Sequence, residues 1–258
     1  MTFTIEKPDD APSRLSMILW GDAGCGKTTL AATAPGKKLY LLFDPDGDMS
    51  IRGIPSWERM NLTGVPSIDI AQQCMKPDPF GLDAVLPNYD TLVVDSLTKV
   101  SEHALHYAVS IMPKSTLLMP GLNGYGARNT CVGSLISNTL RLTSKHNKHV
   151  VFITHERDAD RNDQGNIVSV AMMLGGQLPN IASKDISEVW NIRDQAGKRF
   201  IAIRPERFRA PMKTRMFDTG GTLTSFEWKY DIRTHLGHSI SEWWDTFTHG
   251  YNKLPIPK

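Results

Sequence analysis

The chain has 258 residues, of which 40% are hydrophobic and 22% charged, and its formal net charge is +2. That length and apolar content suffice for one large α/β core, while so balanced a charge excludes wholesale polyanion binding and leaves nucleic-acid contact to local clusters. Three cysteines, at positions 25, 74 and 131, form neither a disulfide framework nor a zinc pattern and predict a reducing cytoplasmic setting, and no signal-peptide pattern or membrane-length apolar stretch is visible.

Residues 1–13 read as an N-terminal extension. The apolar run 15–20 then predicts a buried strand, and Gly21-Asp22-Ala23-Gly24-Cys25-Gly26-Lys27-Thr28 follows directly as a complete G-x-x-x-x-G-K-T phosphate loop. In such a loop successive backbone N–H groups converge on nucleotide phosphates, and a helix predicted over 27–33 adds its positive end. Lys27 is expected to neutralise the β and γ phosphates of ATP and Thr28 to place its hydroxyl on Mg²⁺, with Thr29 completing the phosphate-binding set and Cys25 a small filler.

A second strand is predicted over 39–43, ending in Asp44-Pro45-Asp46-Gly47. This tetrapeptide fits a GTPase-like D-x-x-G, but no N-K-x-D guanine-reading motif follows. Residues 44–88 are rich in Pro, Gly and Asp and read as loops or short excursions. A third strand, 91–94, ends in Asp95, the expected second nucleotide motif, whose carboxylate would hold Mg²⁺ through water or Thr28. Ser96 follows where many AAA+ and helicase-type ATPases carry a water-activating glutamate. The base must therefore come from another strand end, with Asp46 preferred over Asp44.

Helices are predicted over 97–110, 129–146 and 178–184, with 113–126 as a loop between the first two. A fourth strand, 149–153, runs into Thr154-His155-Glu156, and a polar side chain there is placed to report hydrolysis to the loop 157–174. Three H-x-x-H pairs, His103 with His106, His146 with His149 and His235 with His238, lack the carboxylates or thiols of a metal site and read as surface residues. Further strands are predicted over 188–192 and 199–203. Between Lys198 and Arg215 seven basic residues stand against Glu206 alone, a density that suits polyphosphate or a DNA backbone. The turn-rich 218–221, an alternating edge hairpin at 226–230 and a terminal helix over 239–247 complete the chain, and the last residues are expected to fray. Strands alternating with helices predict an α/β fold with a mostly parallel central sheet, helices on both faces and ligands at the carboxyl ends of the strands. The expected divisions are an ATPase core at 14–217 and a C-terminal hairpin, helix and tail at 218–258.

The ordered motifs resemble the RecA-like P-loop recombinase ATPases, specifically the short phage-encoded ATP-dependent single-strand annealing proteins, over about residues 14–217. Phe43-Asp44-Pro45-Asp46 is similar to the F-I-D-A-E of RecA with aspartate for the catalytic glutamate, Val93-Val94-Asp95-Ser96 to its V-V-D-S, and Phe152-Ile153-Thr154-His155-Glu156-Arg157 to its F-I-N-Q-I-R, with His155 at the nucleotide-sensing glutamine. Gly175-Gly176-Gln177-Leu178 resembles the G-G-N-A-L that closes the second DNA loop. Residues 205–213 resemble K-N-K-I-A-A-P-F-K, whose two lysines reach the neighbouring subunit's ATP. Arg207 matches the second of them, and Arg204 or Arg209 would stand in for the first, with Lys213 at the end of the segment.

The resemblance implies ATP hydrolysis with Mg²⁺ between subunits of a homo-oligomer, single-stranded DNA as partner, recombination by annealing or strand pairing, and a possible single-strand-binding partner in a bacterial host cytoplasm. Lys114, Tyr125 and Arg128 fall at or beside the first DNA loop by position, and Arg157 and Arg161 in the second. Two other readings remain open: an AAA+ or helicase-type motor or loader, and a DNA-independent phosphotransferase or switch ATPase.

Overall fold

The computed structural model describes residues 13–45, 47–112, 115–218, 224–231, 233–250 and 253–257. In chain order they form β1 (Ser16–Gly21), α1 (Lys27–Ala31), β2 (Lys38–Leu42), β3 (Trp57–Asn61), α2 (Ser67–Met75), α3 (Leu82–Val85), β4 (Thr91–Asp95), α4 (Leu97–Ile111), α5 (Gly121–Lys145) and β5 (His149–His155). There follow β6 (Asp160–Arg161), β7 (Ile167–Ser169), α6 (Leu178–Lys184), β8 (Glu188–Gln195), β9 (Lys198–Ala202), β10 (Phe217–Asp218), β11 (Ser225–Trp228), β12 (Tyr230–Asp231), β13 (Leu236–Gly237), α7 (Ile240–Gly250) and β14 (Leu254–Pro255).

Among the described residues the main sheet has eight strands in the order β11-β9-β8-β1-β5-β4-β2-β3. The strands from β8 across to β3 are parallel, while β9 and β11 close the other edge antiparallel. This is the α/β architecture the alternating pattern predicts.

Side chains alternate across a strand, and β1 shows what that alternation achieves. Met17 and Leu19 join the core layer that contains Leu30 of α1 and Ile240 and Trp243 of α7. Ile18 and Trp20 join the opposite layer, with Ile70 and Cys74 of α2, Val100 of α4 and Leu135 of α5. A strand covered on both faces must be apolar at every position, which is why β1, β2, β4 and β5 read as continuous runs. Docking of α7 is fixed by polar contacts as well, since the Ile240 N–H donates to Thr33 Oγ1 and the Ser241 N–H to the Thr33 carbonyl, both at 2.9 Å.

The structure differs from the sequence expectation in several elements. The supposed loop region 44–88 contributes edge strand β3 and helix α2, which buries Ile70, Ala71 and Cys74. Helix α5 starts at Gly121, eight residues before the predicted position, because its first turns are largely exposed and carry Gly124 and Gly126 instead of an apolar stripe. Finally, Leu254 and Pro255 do not fray: β14 pairs in parallel with β10, and the Leu254 N–H donates to the Met216 carbonyl at 2.9 Å. The predicted edge element resolves into β11, which pairs with β9, and a separate antiparallel pair, β12 with β13. Among the described residues no helix is long and apolar enough to cross a membrane.

One buried carboxylate ties strand β8 to the chain that follows β9. Glu188, 1% exposed, accepts hydrogen bonds from Trp190 Nε1 (2.9 Å), Thr214 Oγ1 (2.6 Å), the Arg215 N–H (2.7 Å) and the Met216 N–H (3.1 Å). Removing the acceptor orphans several donors at once, each costing on the order of 1–3 kcal/mol when buried. Glu188→Ala is therefore expected to lower unfolding stability by about 3 kcal/mol or more, read from urea denaturation; a loss within error of zero would refute this role.

Candidate nucleotide site

The phosphate loop is the turn between β1 and α1. At Gly21, with φ of 154°, a Cβ would stand 1.9 Å from the Ile192 carbonyl oxygen on neighbouring β8, so only glycine lets the chain leave β1 here. Asp22, Ala23 and Gly24 form the exposed crest, whereas Cys25, Lys27 and Thr29 are buried and Thr28 half-buried. Burial raises the Cys25 thiol pKa against the opposing pull of Lys27, so it remains a protonated, space-filling group. Lys27 Nζ donates to the loop's own Gly21 and Asp22 carbonyls at 2.9 and 2.6 Å, which aims the ammonium at the crest.

Strand order sets what faces this loop. The carboxyl ends of β1, β5, β4 and β2 lie side by side, with Gly21 opposite His155, Asp95 opposite Ile153 and Leu42 opposite Asp95 in the register. A cavity of about 420 Å³ opens there, lined by Lys27, Thr28, Asp44, Asp95, His155 and, from β9, Arg199. Thr28 Oγ1 donates to Asp95 Oδ2 at 2.8 Å, and Ser96 Oγ to Asp44 Oδ2 at 3.0 Å. The backbone continues this link, the Phe43 N–H donating to the Asp95 carbonyl at 2.9 Å. Asp46 lies outside the described residues.

The electrostatics follow from burial. Asp95, 5% exposed, has its carboxyl pKa pushed up to about 6; loss of solvent is the main cause, the Thr28 hydroxyl opposes it, Asp44 reinforces it and Lys27 opposes it again. A buried carboxylate short of positive charge beside an alcohol oxygen is a donor set suited to a hard divalent cation, so Thr28 and Asp95 fit Mg²⁺. Burial and then Lys27 lower the His155 pKa, leaving its imidazole neutral at pH 7. The His155 N–H is held by Thr98 Oγ1 at 2.9 Å, and the His155 carbonyl accepts from the Met173 N–H at 2.8 Å.

Downstream, the segment 157–174 is laced instead of open. β6 pairs with β7, the Arg157 N–H donates to the Ala171 carbonyl at 2.9 Å, and the Val170 N–H to the Phe208 carbonyl at 2.7 Å. Its apolar run is divided: Val170, Met172 and Leu174 belong to the core, and Val168 and Met173 are exposed. Arg157 pairs with Asp160, and Arg161 Nη1 donates to the Gly165 carbonyl at 2.8 Å. Tyr125 is exposed, with the Arg128 guanidinium 4.9 Å above its ring; Lys114 lies outside the described residues.

The candidate trans-acting cations are in four different states. Arg204 is exposed, and exposed Arg207 rests on the Phe208 ring at 4.8 Å. Arg209 is held by Glu156 at 3.3 Å, and Lys213 donates to the Lys184 carbonyl at 3.1 Å. None of these four lines the phosphate-loop cavity, whereas Arg199 does. Sequence reading placed Arg199 in a basic stretch without singling it out, since density alone does not say which cation folds back onto the loop.

The Asp95 environment makes a measurable claim about the metal-free protein. With an unfolded-state pKa near ~3.9 and a folded one raised to about 6, the folded state binds more protons between these values, so stability falls as pH rises through that window. The deficit above pH 7 amounts to about 3 kcal/mol. In chelator, Asp95→Asn is expected to melt above wild type at pH 8, with the gap closing towards pH 4. A gap independent of pH would contradict the raised carboxyl.

Comparison with known proteins agrees with this geometry. The AAA domain family matches residues 13–230. The crystal structure of the RadB recombinase is similar in fold, with a TM-score of 0.50 and 15% identity over 86% of this chain and 90% of that one. No curated protein sequence matches the chain. A phosphate loop on β1, an acidic strand end on β4 and a family match over most of the chain converge on one assignment: the chain belongs to the AAA domain family and is a P-loop ATPase of RecA-like fold.

Proposed function

We propose that this protein hydrolyses ATP between subunits of a homo-oligomer and uses the cycle to bind single-stranded DNA and promote annealing or strand pairing in recombination. The observation that carries the reading is the convergence of Lys27, Thr28, Asp44, Asp95 and His155 on one cavity, with the His155 carbonyl hydrogen-bonded directly to the segment that follows β7. The recombinase identity of the structurally similar RadB points the same way.

In this reading Lys27 and the loop N–H groups hold the phosphates, and Thr28 with Asp95 would hold Mg²⁺, which supplies charge neutralisation on the β and γ oxygens. Asp44 has its carboxylate in the cavity, oriented by Ser96, and Asp46 follows two residues on; one of them polarises the attacking water, placed in line with the γ phosphate. Neutral His155 senses the γ phosphate, and its carbonyl passes any displacement to Met173. Arg157 and Arg161, with Tyr125, Arg128 and Lys114, are the candidate DNA contacts, and a single-strand-binding protein is a candidate partner. Exposed Arg207 is free to reach a neighbouring site, with Arg204 as a second candidate, while Arg209 and Lys213 would first have to leave their intrachain partners.

The test is ATP turnover with and without single-stranded DNA. DNA should stimulate the wild type, and Lys27→Ala should lose at least roughly 100-fold in turnover, the scale of removing a preorganised charge contact. Asp46→Asn should abolish hydrolysis and leave DNA binding intact, with Asp44→Asn run beside it to assign the base. Turnover and binding both indifferent to DNA would sink the recombinase reading in favour of a switch ATPase. A second measurement mixes Arg207→Ala with Lys27→Ala: partial recovery of activity is expected if the arginine completes a neighbour's site, and no recovery argues against it.

A further inference from the structure

Arg199 differs from the cations around it. Arg193 is paired with Glu206, Arg209 with Glu156 and Lys198 with Glu227, yet Arg199 is half-buried and, among the described residues, its guanidinium makes neither an ion pair nor a hydrogen bond. A guanidinium whose N–H donors are matched by no acceptor in its own chain, and whose one aromatic neighbour leaves those donors open, is suited to take an anion.

The sheet explains how it arrives at the phosphate loop. β9 runs antiparallel to β8, with Lys198 opposite Gln195 and Arg199 opposite Asp194, so the first residues of β9 lie level with the carboxyl ends of the parallel strands. Alternation then sets the face: Ile201 and Ile203 pack in the layer that contains Leu30 and Ala31 of α1, and Arg199 lies on that same face. Its guanidinium crosses beside the Trp228 ring, 5.8 Å from the centroid. It ends against Gly26, where its Cδ, Nε and Cζ lie 3.1–3.2 Å from the point a Cβ would occupy. Gly26, with φ of 102°, is the residue from which α1 starts.

The direction of approach separates Arg199 from the hydrolytic groups. Asp44, Asp95 and His155 reach the loop from β2, β4 and β5, on one side of β1, while Arg199 reaches it from β9, on the other. Arg199 is also shared by two cavities, that of the phosphate loop and one of about 630 Å³ between β9, β11 and the β12–β13 pair. Asp44, Asp95 and His155 thus occupy one end of the site and Arg199 the other.

We propose that Arg199 is a nucleotide-positioning residue that acts within its own subunit, its guanidinium binding the α/β diphosphate oxygens beside Gly26. This rests on the ATPase reading and deepens it: part of nucleotide affinity is intrachain and does not depend on the γ phosphate or on a neighbouring subunit. Guanidinium geometry suits a bidentate contact to two phosphate oxygens, which lysine makes only as a point charge.

The experiment measures ADP and ATP affinity of the full-length protein with Mg²⁺, followed by steady-state hydrolysis. Arg199→Ala and the polar, uncharged Arg199→Gln should both weaken ADP and ATP binding at least tenfold and by similar factors. KM for ATP should rise alike while kcat falls less than threefold, and Arg199→Lys should recover part of the affinity. Melting temperatures without nucleotide should stay close to wild type, which separates binding from folding. Mixing Arg199→Ala with Lys27→Ala should leave binding weak, because the two residues serve one chain's site. Unchanged ADP affinity, a loss confined to ATP, or recovery on mixing overturns this inference alone. Failure of the wild type to bind either nucleotide overturns the ATPase reading itself.

Discussion

The parallel pairing of β1 between β5 and β8 is the constraint on which the site depends. Paired on both edges and covered on both faces, β1 has no freedom of register, because a one-residue slip would exchange Met17 and Leu19 with Ile18 and Trp20 between two different core layers. The phosphate loop is therefore launched from a fixed point. Gly21 passes so near the Ile192 carbonyl that the loop's first turn is shaped by β8 as much as by its own sequence. The same register sets the carboxyl ends of β5, β4 and β2 beside it, and chemistry-bearing residues placed at those ends meet without further adjustment.

The site gathers charges that the chain itself balances only in part. Two carboxylates, Asp44 and Asp95, and a buried ammonium, Lys27, share one cavity with a histidine that burial keeps neutral. Within the chain, Thr28 and Ser96 each satisfy one carboxylate by a single hydroxyl, and Lys27 spends its protons on backbone carbonyls. Such an arrangement suits a charged ligand, since a nucleotide with its cation would supply the counter-charges that the protein withholds. One bond leads out of the cavity, from the Met173 N–H to the His155 carbonyl. Glu156, the next residue, holds both Asn191 Nδ2 at 3.1 Å and Arg209 at 3.3 Å. Cavity, downstream segment and basic turn are thus joined by direct bonds.

What was legible in the sequence shares one property, namely burial on both sides. The strands at 15–20, 39–43, 91–94 and 149–153 announce themselves as apolar runs because nothing but apolar side chains fits between two helix layers. β3 escaped because it is an edge strand: Glu58, Arg59 and Asn61 read as polar chain, and its pairing with β2 is made by backbone groups that leave no trace in the side chains. The start of α5 escaped for the complementary reason, its exposed and glycine-containing turns having no buried stripe to set a helical period. Within the basic stretch 198–215 the sequence showed density but not direction. Which cation pairs with Glu156, which with Glu227 and which turns back to Gly26 is settled by strand polarity and side-chain alternation alone.

By itself, the sequence determined the local chemistry: a loop of glycines that can cradle phosphate, a lysine and a threonine at the required spacing, and acidic or polar residues at the ends of strand-length apolar runs. Those are properties of neighbouring residues, and neighbours are what a sequence specifies. Tertiary structure decided which of the distant groups face one another. The proximity of Thr28 to Asp95 across 67 positions, of Ser96 to Asp44 across 52, and of Arg199 to Gly26 arises from the order and direction of strands. That order is chosen by the burial of two whole core layers, a sum over many side chains in which no single residue carries the signal.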